Sequence, residues 1–363
     1  MAGSGATLVE ACLLGRKAIG VDLDPLALRQ CRAKTTWLDP EQVHIAGQRV
    51  VDTALMWGRI GDPLTQFLGR LDAATRKFID YWFKAETQKE LSALVLAVEQ
   101  ETHPDLRVLF EVLISSVIVT KSGGVSMARD LAHTRPHRVD DKTPRNAIKM
   151  FETQLQHAVA AFKDVGGAPG WRGTVLPADS RHLPLADETV DLIVTSPPYA
   201  NALDYMRAHK FSLVWLGQPI ERLSTLRGEY IGSERSSNLN MGDLPETVQA
   251  SVCNLAAIDP RKATVLGKYY HDMSLAIREM YRVIRSRRAV VMVVGPSTMR
   301  GLRIETHANL TDIARTIGFE VVGVERRPID RDSRMMPARS HNNGQSLIEQ
   351  RIHEEIVIGL LKP

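Results

Sequence analysis

The 363-residue chain has little cysteine, little net charge and no long apolar run, and each shortage removes a class of protein. Its three cysteines, Cys12, Cys31 and Cys253, form no CxxC pair. Neither a disulfide framework nor a zinc site is readable from them, and a reducing cytoplasm is their natural setting. The 11 histidines show no ligand spacing, so no metal site is expected. Lys and Arg number 46 against 42 Asp and Glu, a net charge of +4 that permits a polyanionic partner without demanding one. The longest apolar run, Val108–Val119, is broken by Glu111. It falls short of the roughly 20 residues that span a bilayer, so no membrane partner is expected. No basic segment precedes an apolar stretch at the N-terminus, which argues against a signal peptide.

An apolar content of 44% and a charged content of 24% describe an ordinary globular chain of about two domains. Three stretches differ in pattern. Residues 1–36 read as a glycine turn at Gly3 and Gly5, a helix to Leu14 stopped by Gly15, and a buried strand over Ala18–Asp24 that ends in acids. Residues 37–173 are mainly helical in period, with Leu106, Leu109, Phe110, Leu113 and Val117 on one face and a further helix over Pro144–Val165. They include a basic, turn-rich segment with Arg129, Arg135, Arg138, Lys142 and Arg145. Residues 174–363 return to an α/β pattern: strands over Thr174–Ala178, Val190–Thr195, Ala289–Gly295, Glu320–Arg326 and Ile356–Leu361, and helices over Ala202–Leu216, Tyr269–Ile284 and Ala308–Ile317. Gly228–Val265 reads as a mobile loop with little helix.

Two motifs carry chemistry. In Ala2-Gly3-Ser4-Gly5, glycines let a ligand approach the backbone, and the following helix N-terminus presents N–H groups. Asp22, at the end of the next strand, can accept hydrogen bonds from both hydroxyls of a ribose. Asp24 precedes Pro25 and suits a turn instead. In Ser196-Pro197-Pro198-Tyr199 an apolar strand runs directly into two prolines, which fix the loop and remove competing N–H donors. The Ser196 hydroxyl and the Pro197 carbonyl are acceptors, and Tyr199 presents a face for stacking. A pocket rich in acceptors suits an amine that gains positive charge as it reacts.

MAGSGATLVEACLLGRKAIGVDLDP resembles the cofactor motif of amino-methylating DNA methyltransferases, and TSPPY resembles their catalytic motif in its cytosine-N4 form. Motifs and strand pattern together cover about half of the chain. The resemblance implies a Rossmann-like S-adenosylmethionine-dependent methyltransferase sheet, with its last strand inserted antiparallel, interrupted by a helical insertion. It implies that Ala2, Gly3, Ser4, Gly5 and Asp22 bind S-adenosyl-L-methionine, with Asp179 at its adenine. Ser196, Pro197, Pro198 and Tyr199 would hold a flipped base of DNA for methylation at cytosine N4. Adenine N6 in DNA and guanine N2 in tRNA are the alternative targets, so an RNA partner stays open, as does a companion restriction endonuclease. Residues 37–173 are the candidate for target recognition, and the arginines from Arg326 to Arg339, with His341 and Asn342 after them, are candidates for phosphate contact.

The chain departs from the family pattern in two respects. The strand expected before the glycines is missing, since the chain starts at Met1, and the cofactor motif precedes the catalytic one. The missing strand motivates an alternative of another class, a truncated, non-catalytic nucleic-acid-binding relic.

Overall fold

The computed structural model describes residues 1–118, 120, 124–129, 136–167, 171–200, 205–233, 242–329 and 354–363. The chain divides into two compact units, one of Ala2–Pro177 with Asp204–Arg227, the other of Met1, Ala178–Leu203 and Gly228–Pro363.

The first unit opens with α1 (Ala6–Leu13), β1 (Ile19–Asp22) and α2 (Pro25–Thr35). The helical stretch follows as α3 (Pro40–Ile60), α4 (Pro63–Leu68), α5 (Ala73–Trp82), α6 (Ala85–Glu99) and α7 (Pro104–Ile118). The small hairpin β2 (Ala128–Arg129) and β3 (His137–Arg138) comes next, then α8 (Ala147–Val165) and β4 (Thr174–Pro177), with α9 (Tyr205–Leu213) and α10 (Ile220–Glu229) later in the chain. β1 and β4 run parallel, Ile19 opposite Thr174 and Asp22 opposite Pro177. Asp-Pro pairs start three of these helices. Asp24, Asp39 and Asp62 each accept a hydrogen bond from a first-turn N–H, and Pro25, Pro40 and Pro63 stand where a missing N–H is harmless. Helix α2, which hydrophobic period alone did not mark, owes its start to the first pair. It is tied to the helical stretch by ion pairs from Arg29 to Glu111 and from Arg32 to Asp105. The face predicted for α7 is the buried one: Leu106, Leu109, Phe110, Leu113 and Val117 all lie inside. Trp215 is fully buried and stacks on Phe67 at 5.2 Å.

The second unit holds β5 (Val190–Thr195), α11 (Glu246–Ala256), α12 (Pro260–Val283), β6 (Ile284–Val294), β7 (Ser297–Met299), β8 (Leu302–Ile304), α13 (Thr306–Ile317), β9 (Glu320–Pro328) and β10 (Glu354–Leu361). Its sheet order is β5-β6-β10-β9. β5 pairs parallel to β6, whereas β10 is antiparallel to both β6 and β9. The last strand is therefore inserted antiparallel between parallel neighbours, as the closing strand pattern implied, and the α/β class holds. Helices α11, α12 and α13 bury one core against this sheet through Val248, Leu266, Tyr270, Met273, Ile277 and Leu310. Among the described residues β5 is paired on one edge only and so is β1.

One expectation is overturned. Gly228–Val265 is not a loop with little helix: α11 lies within it and α12 begins in it at Pro260. Val248, Val252 and Leu255 recur at helical spacing and are buried, and Asp259 caps α12 with Pro260 at its first position. Polar residues between those anchors hid the period.

Candidate functional site

The glycine loop belongs to the first unit and is built by hydrogen bonds to the end of β1. The Ala2 N–H donates to the Val21 carbonyl at 3.0 Å and the Gly3 N–H to Asp22 Oδ2 at 2.9 Å. Asp22 Oδ1 accepts the Asp24 N–H at 3.0 Å. The acid at the strand end thus clamps the loop that precedes the helix. The two glycines serve different ends. Gly5 has φ +82, and a Cβ on it would stand 3.1 Å from Cys31 Cα, so both conformation and space demand glycine. Gly3 has φ +53, but a Cβ there would meet nothing within 4 Å. Its surroundings are open, which leaves room for a ligand against the backbone. No side chain caps α1, whose N-cap is Gly5, and Gly3, Ser4, Ala6 and Thr7 are exposed. First-turn N–H groups without a capping side chain suit acceptor atoms of a ligand. Beneath the loop Cys31 is fully buried, and its thiol is pushed up to about 11 by burial and by the charge of Asp22. It is inert packing rather than a nucleophile.

Helix α9 brings a side chain to the turn after β1, a pairing that motif reading did not foresee. His209 Nδ1 lies 2.6 Å from Asp24 Oδ2, with Asp24 only 4% exposed. Tyr205, one turn earlier, has its ring 6.2 Å from that of His209. Asn201 and Asp204, polar residues that follow the proline loop, lie outside the described residues.

The proline loop belongs to the second unit. Ser196 leaves the end of β5 exposed to solvent, and its hydroxyl donates to the Val293 carbonyl of β6 at 3.0 Å. Because a serine hydroxyl has a single proton, this bond turns the oxygen's lone pairs into acceptors for anything else that approaches. Pro197 is buried, and Thr195 just before it is anchored by its own hydroxyl to the Met1 carbonyl at 3.1 Å. The Tyr199 ring lies on Gly295, where a Cβ would be 2.7 Å from the ring, and its hydroxyl donates to Glu355 Oε1 at 3.4 Å. Gly295 and Glu355 seat this tyrosine; neither stands in a recognisable motif.

Asp179, in the same unit, is engaged by a residue that sequence reading passed over. Arg181 Nε reaches both carboxylate oxygens at 3.0 Å, and Arg181 Nη2 reaches Oδ2 at 2.6 Å. Arg181 also bonds Asp272 at 2.8 Å and the Glu229 carbonyl at 2.7 Å, and Lys268 meets Asp272 at 2.6 Å. Burial pushes the Asp179 carboxyl up, but the Arg181 guanidinium outweighs it and the net direction is down.

The basic candidates resolve unevenly. Arg326 and Arg327 on β9 face Glu354 and Glu355 on β10. Arg331, Arg334, Arg339, His341, Asn342 and Arg135 lie outside the described residues. Lys142 donates to the Ser126 and Ala128 carbonyls, and burial pushes it down to about 8, so it fastens the β2–β3 segment. Arg138 pairs with Asp140 and lies 5.0 Å above the exposed Tyr81 ring. Among the described residues no group of three His, Cys, Asp or Glu could hold a metal ion, and no helix is long and apolar enough to cross a membrane.

No family model matches the chain. It is similar to the Type II methyltransferase M.MvaI of Kocuria varians, 22% identical over 329 residues, covering 86% of this chain and 72% of that protein. It is also similar to the Type II methyltransferase M.AvaI of Nostoc sp., 28% identical over 149 residues, 36% of this chain and 31% of the relative. Among solved structures, a candidate DNA modification methylase of Thermus thermophilus, complexed with S-adenosyl-L-methionine, matches at 15% identity and a TM-score of 0.26, covering 51% of each chain.

Proposed function

We propose that the chain is an S-adenosyl-L-methionine-dependent DNA methyltransferase that modifies an exocyclic base amine, cytosine N4. The observation that carries the reading is the state of Ser196, an exposed hydroxyl directly before two prolines whose proton is committed to the Val293 carbonyl. Similarity to Type II methyltransferases supports the reaction class and leaves the base to the chemistry of this loop.

The cofactor supplies an electrophilic methyl group when bound. The residues present fit it: open space at Gly3, first-turn N–H groups with no capping side chain, and Asp22 as a ribose acceptor. Asp179 is the candidate for its adenine.

The amine of cytosine is a weak nucleophile, because its lone pair is delocalised into the ring. Acceptors aimed at its N–H bonds favour pyramidal nitrogen and stabilise the charge that grows there. Ser196 Oγ and the Pro197 carbonyl are those acceptors, and the prolines keep competing donors away. Tyr199 stacks on the extruded base, and stacking with edge hydrogen bonds offsets the few kcal/mol of unstacking, on the order of what base flipping costs. No strong base is required, since the nitrogen releases its proton after transfer. Residues 37–173 are proposed to select the DNA target, with the exposed Tyr81 and Arg138 among its polar contacts.

The test is tritium transfer from labelled S-adenosyl-L-methionine to duplex DNA, followed by nucleoside mass spectrometry. Label in N4-methylcytosine is expected, reduced about a hundredfold or more in Ser196→Ala, the usual scale for one lost transition-state hydrogen bond. Label in N6-methyladenine would reassign the base. Label in neither DNA nor tRNA, with no cofactor binding, would overturn the enzyme reading.

A further inference from the structure

We propose that His209 is a positioning residue of the cofactor site, holding the Asp22–Asp24 turn from helix α9. This inference rests on reading Gly3–Asp22 as the cofactor loop. His209 Nδ1 stands 2.6 Å from Asp24 Oδ2, and the two side chains are 20% and 6% exposed. Asp24 is held at three further points. Its Oδ1 accepts the Leu26 and Ala27 N–H groups at 2.8 and 3.3 Å, and its own N–H donates to Asp22 Oδ1 at 3.0 Å. Asp22 in turn accepts the Gly3 N–H at 2.9 Å. A continuous set of hydrogen bonds therefore runs from α9 through Asp24 and Asp22 to the glycine loop.

The chemistry fixes the proton. A carboxylate at neutral pH is an acceptor only, so Nδ1 carries hydrogen and donates whether the ring is neutral or cationic. The two backbone N–H groups would cap α2 without any histidine, so His209 is not needed for the helix start. What it adds is a tether on the second carboxylate oxygen, which sets the azimuth of the Asp24 side chain and with it the turn that carries Asp22. Helix α9 is itself fixed: Ser212 bonds Ser115 at 2.9 Å, and Phe211 packs edge-on to Phe78 and Trp82. A rigid helix is the right base for holding a ligand-binding turn. Tyr205, a turn before His209 on this helix, is 43% exposed and has its ring 6.2 Å from that of His209.

The experiment uses the full chain with His209→Leu, which keeps volume and removes the donor, and His209→Asn, whose amide places a donor at the same distance along the side chain. S-adenosyl-L-methionine affinity is measured by calorimetry and duplex DNA affinity by fluorescence anisotropy. His209→Leu is expected to weaken cofactor binding about tenfold, the scale of one charge-assisted hydrogen bond, with DNA affinity changed less than about twofold. His209→Asn is expected to recover most of the loss. Cofactor affinity unchanged in His209→Leu, or His209→Asn as weak as His209→Leu, overturns the proposal. Equal loss of cofactor and DNA binding with a lowered melting temperature also overturns it, leaving His209 a packing residue. A wild-type chain that binds no cofactor fails at the earlier step, the reading of the glycine loop itself.

Discussion

The loops Ala2–Gly5 and Ser196–Tyr199 are built from opposite materials. The first uses glycines at φ +53 and +82, bonds the Ala2, Gly3 and Gly5 N–H groups internally, and leads into a first turn of α1 with no capping side chain, so the donors it offers are those of the helix start and its shape comes from backbone freedom. The second uses prolines that lack N–H groups and a serine whose proton is already given to Val293, so it is a surface of acceptors shaped by rigidity. Donors suit the carboxylate and hydroxyls of a nucleoside-bearing cofactor; acceptors suit an amine becoming positive. Each loop is in turn held by residues outside its motif: Asp22 and Asp24 for the glycine loop, Gly295 and Glu355 for the tyrosine of the proline loop.

The sharpest way to break this contrast is to unseat the tyrosine without touching the motif. Gly295→Ala places a methyl 2.7 Å from the Tyr199 ring, which must then move. Methyl transfer is expected to fall about a hundredfold in kcat, the cost of misplacing a positioned group by about an ångström. Cofactor affinity should stay within about twofold, because the glycine loop is untouched. Rapid-quench kinetics with calorimetry on the same protein checks both halves. A loss of cofactor binding instead would mean that the proline loop does not act on the acceptor base alone.

The next effect separates the two glycines. Gly5→Ala meets both a left-handed backbone and the Cys31 main chain at 3.1 Å, so it is expected to cost about 2–3 kcal/mol of stability by urea unfolding. Gly3→Ala meets only the left-handed backbone and should cost about 1 kcal/mol. Its methyl would point into open space, however, and there it is expected to weaken cofactor binding at least about tenfold. If Gly3→Ala lowers stability alone, the loop is a turn and not a binding surface.

How far the sequence reaches follows the same division. Both loops were legible, because each depends on residue types whose effect is local: glycine at positive φ, proline without a donor, an acid at a strand end. The strand Val190–Thr195 was legible in full, since an apolar run stopped by prolines has few alternatives. The antiparallel insertion of β10 followed from the resemblance rather than from period, because pairing of Ile356 with Val294 is a long-range choice. Helix α11 was missed because its three buried anchors sit in a polar segment. The pairings that support the loops were missed because they are not local at all. His209 and Asp24 are 185 residues apart, and Tyr199 and Glu355 are 156 apart. Arg181 is two residues from Asp179, yet its value lies in also holding Asp272, 91 residues on.

That last contact yields the smallest expected effect and bears on how acids at strand ends are held. Backbone N–H groups hold Asp22, whereas a guanidinium holds Asp179. The Asp179 carboxyl is net lowered below its ordinary value, so its contribution to stability is present above the unfolded carboxylate value near 3.8 and is lost as pH falls through the lower folded value. Arg181→Met removes the pairing and keeps the burial, which by itself raises the carboxyl. The carboxyl then loses most of what lowers it, so the variant should lose stability relative to wild type at neutral pH and recover part of the difference as pH falls below about 4. Melting temperatures from pH 3 to 7 are expected to differ by only a few degrees, on the order of 1 kcal/mol for a chain of this size. Parallel curves for variant and wild type across that range would show that Asp272 and Lys268, not Asp179, account for what Arg181 contributes.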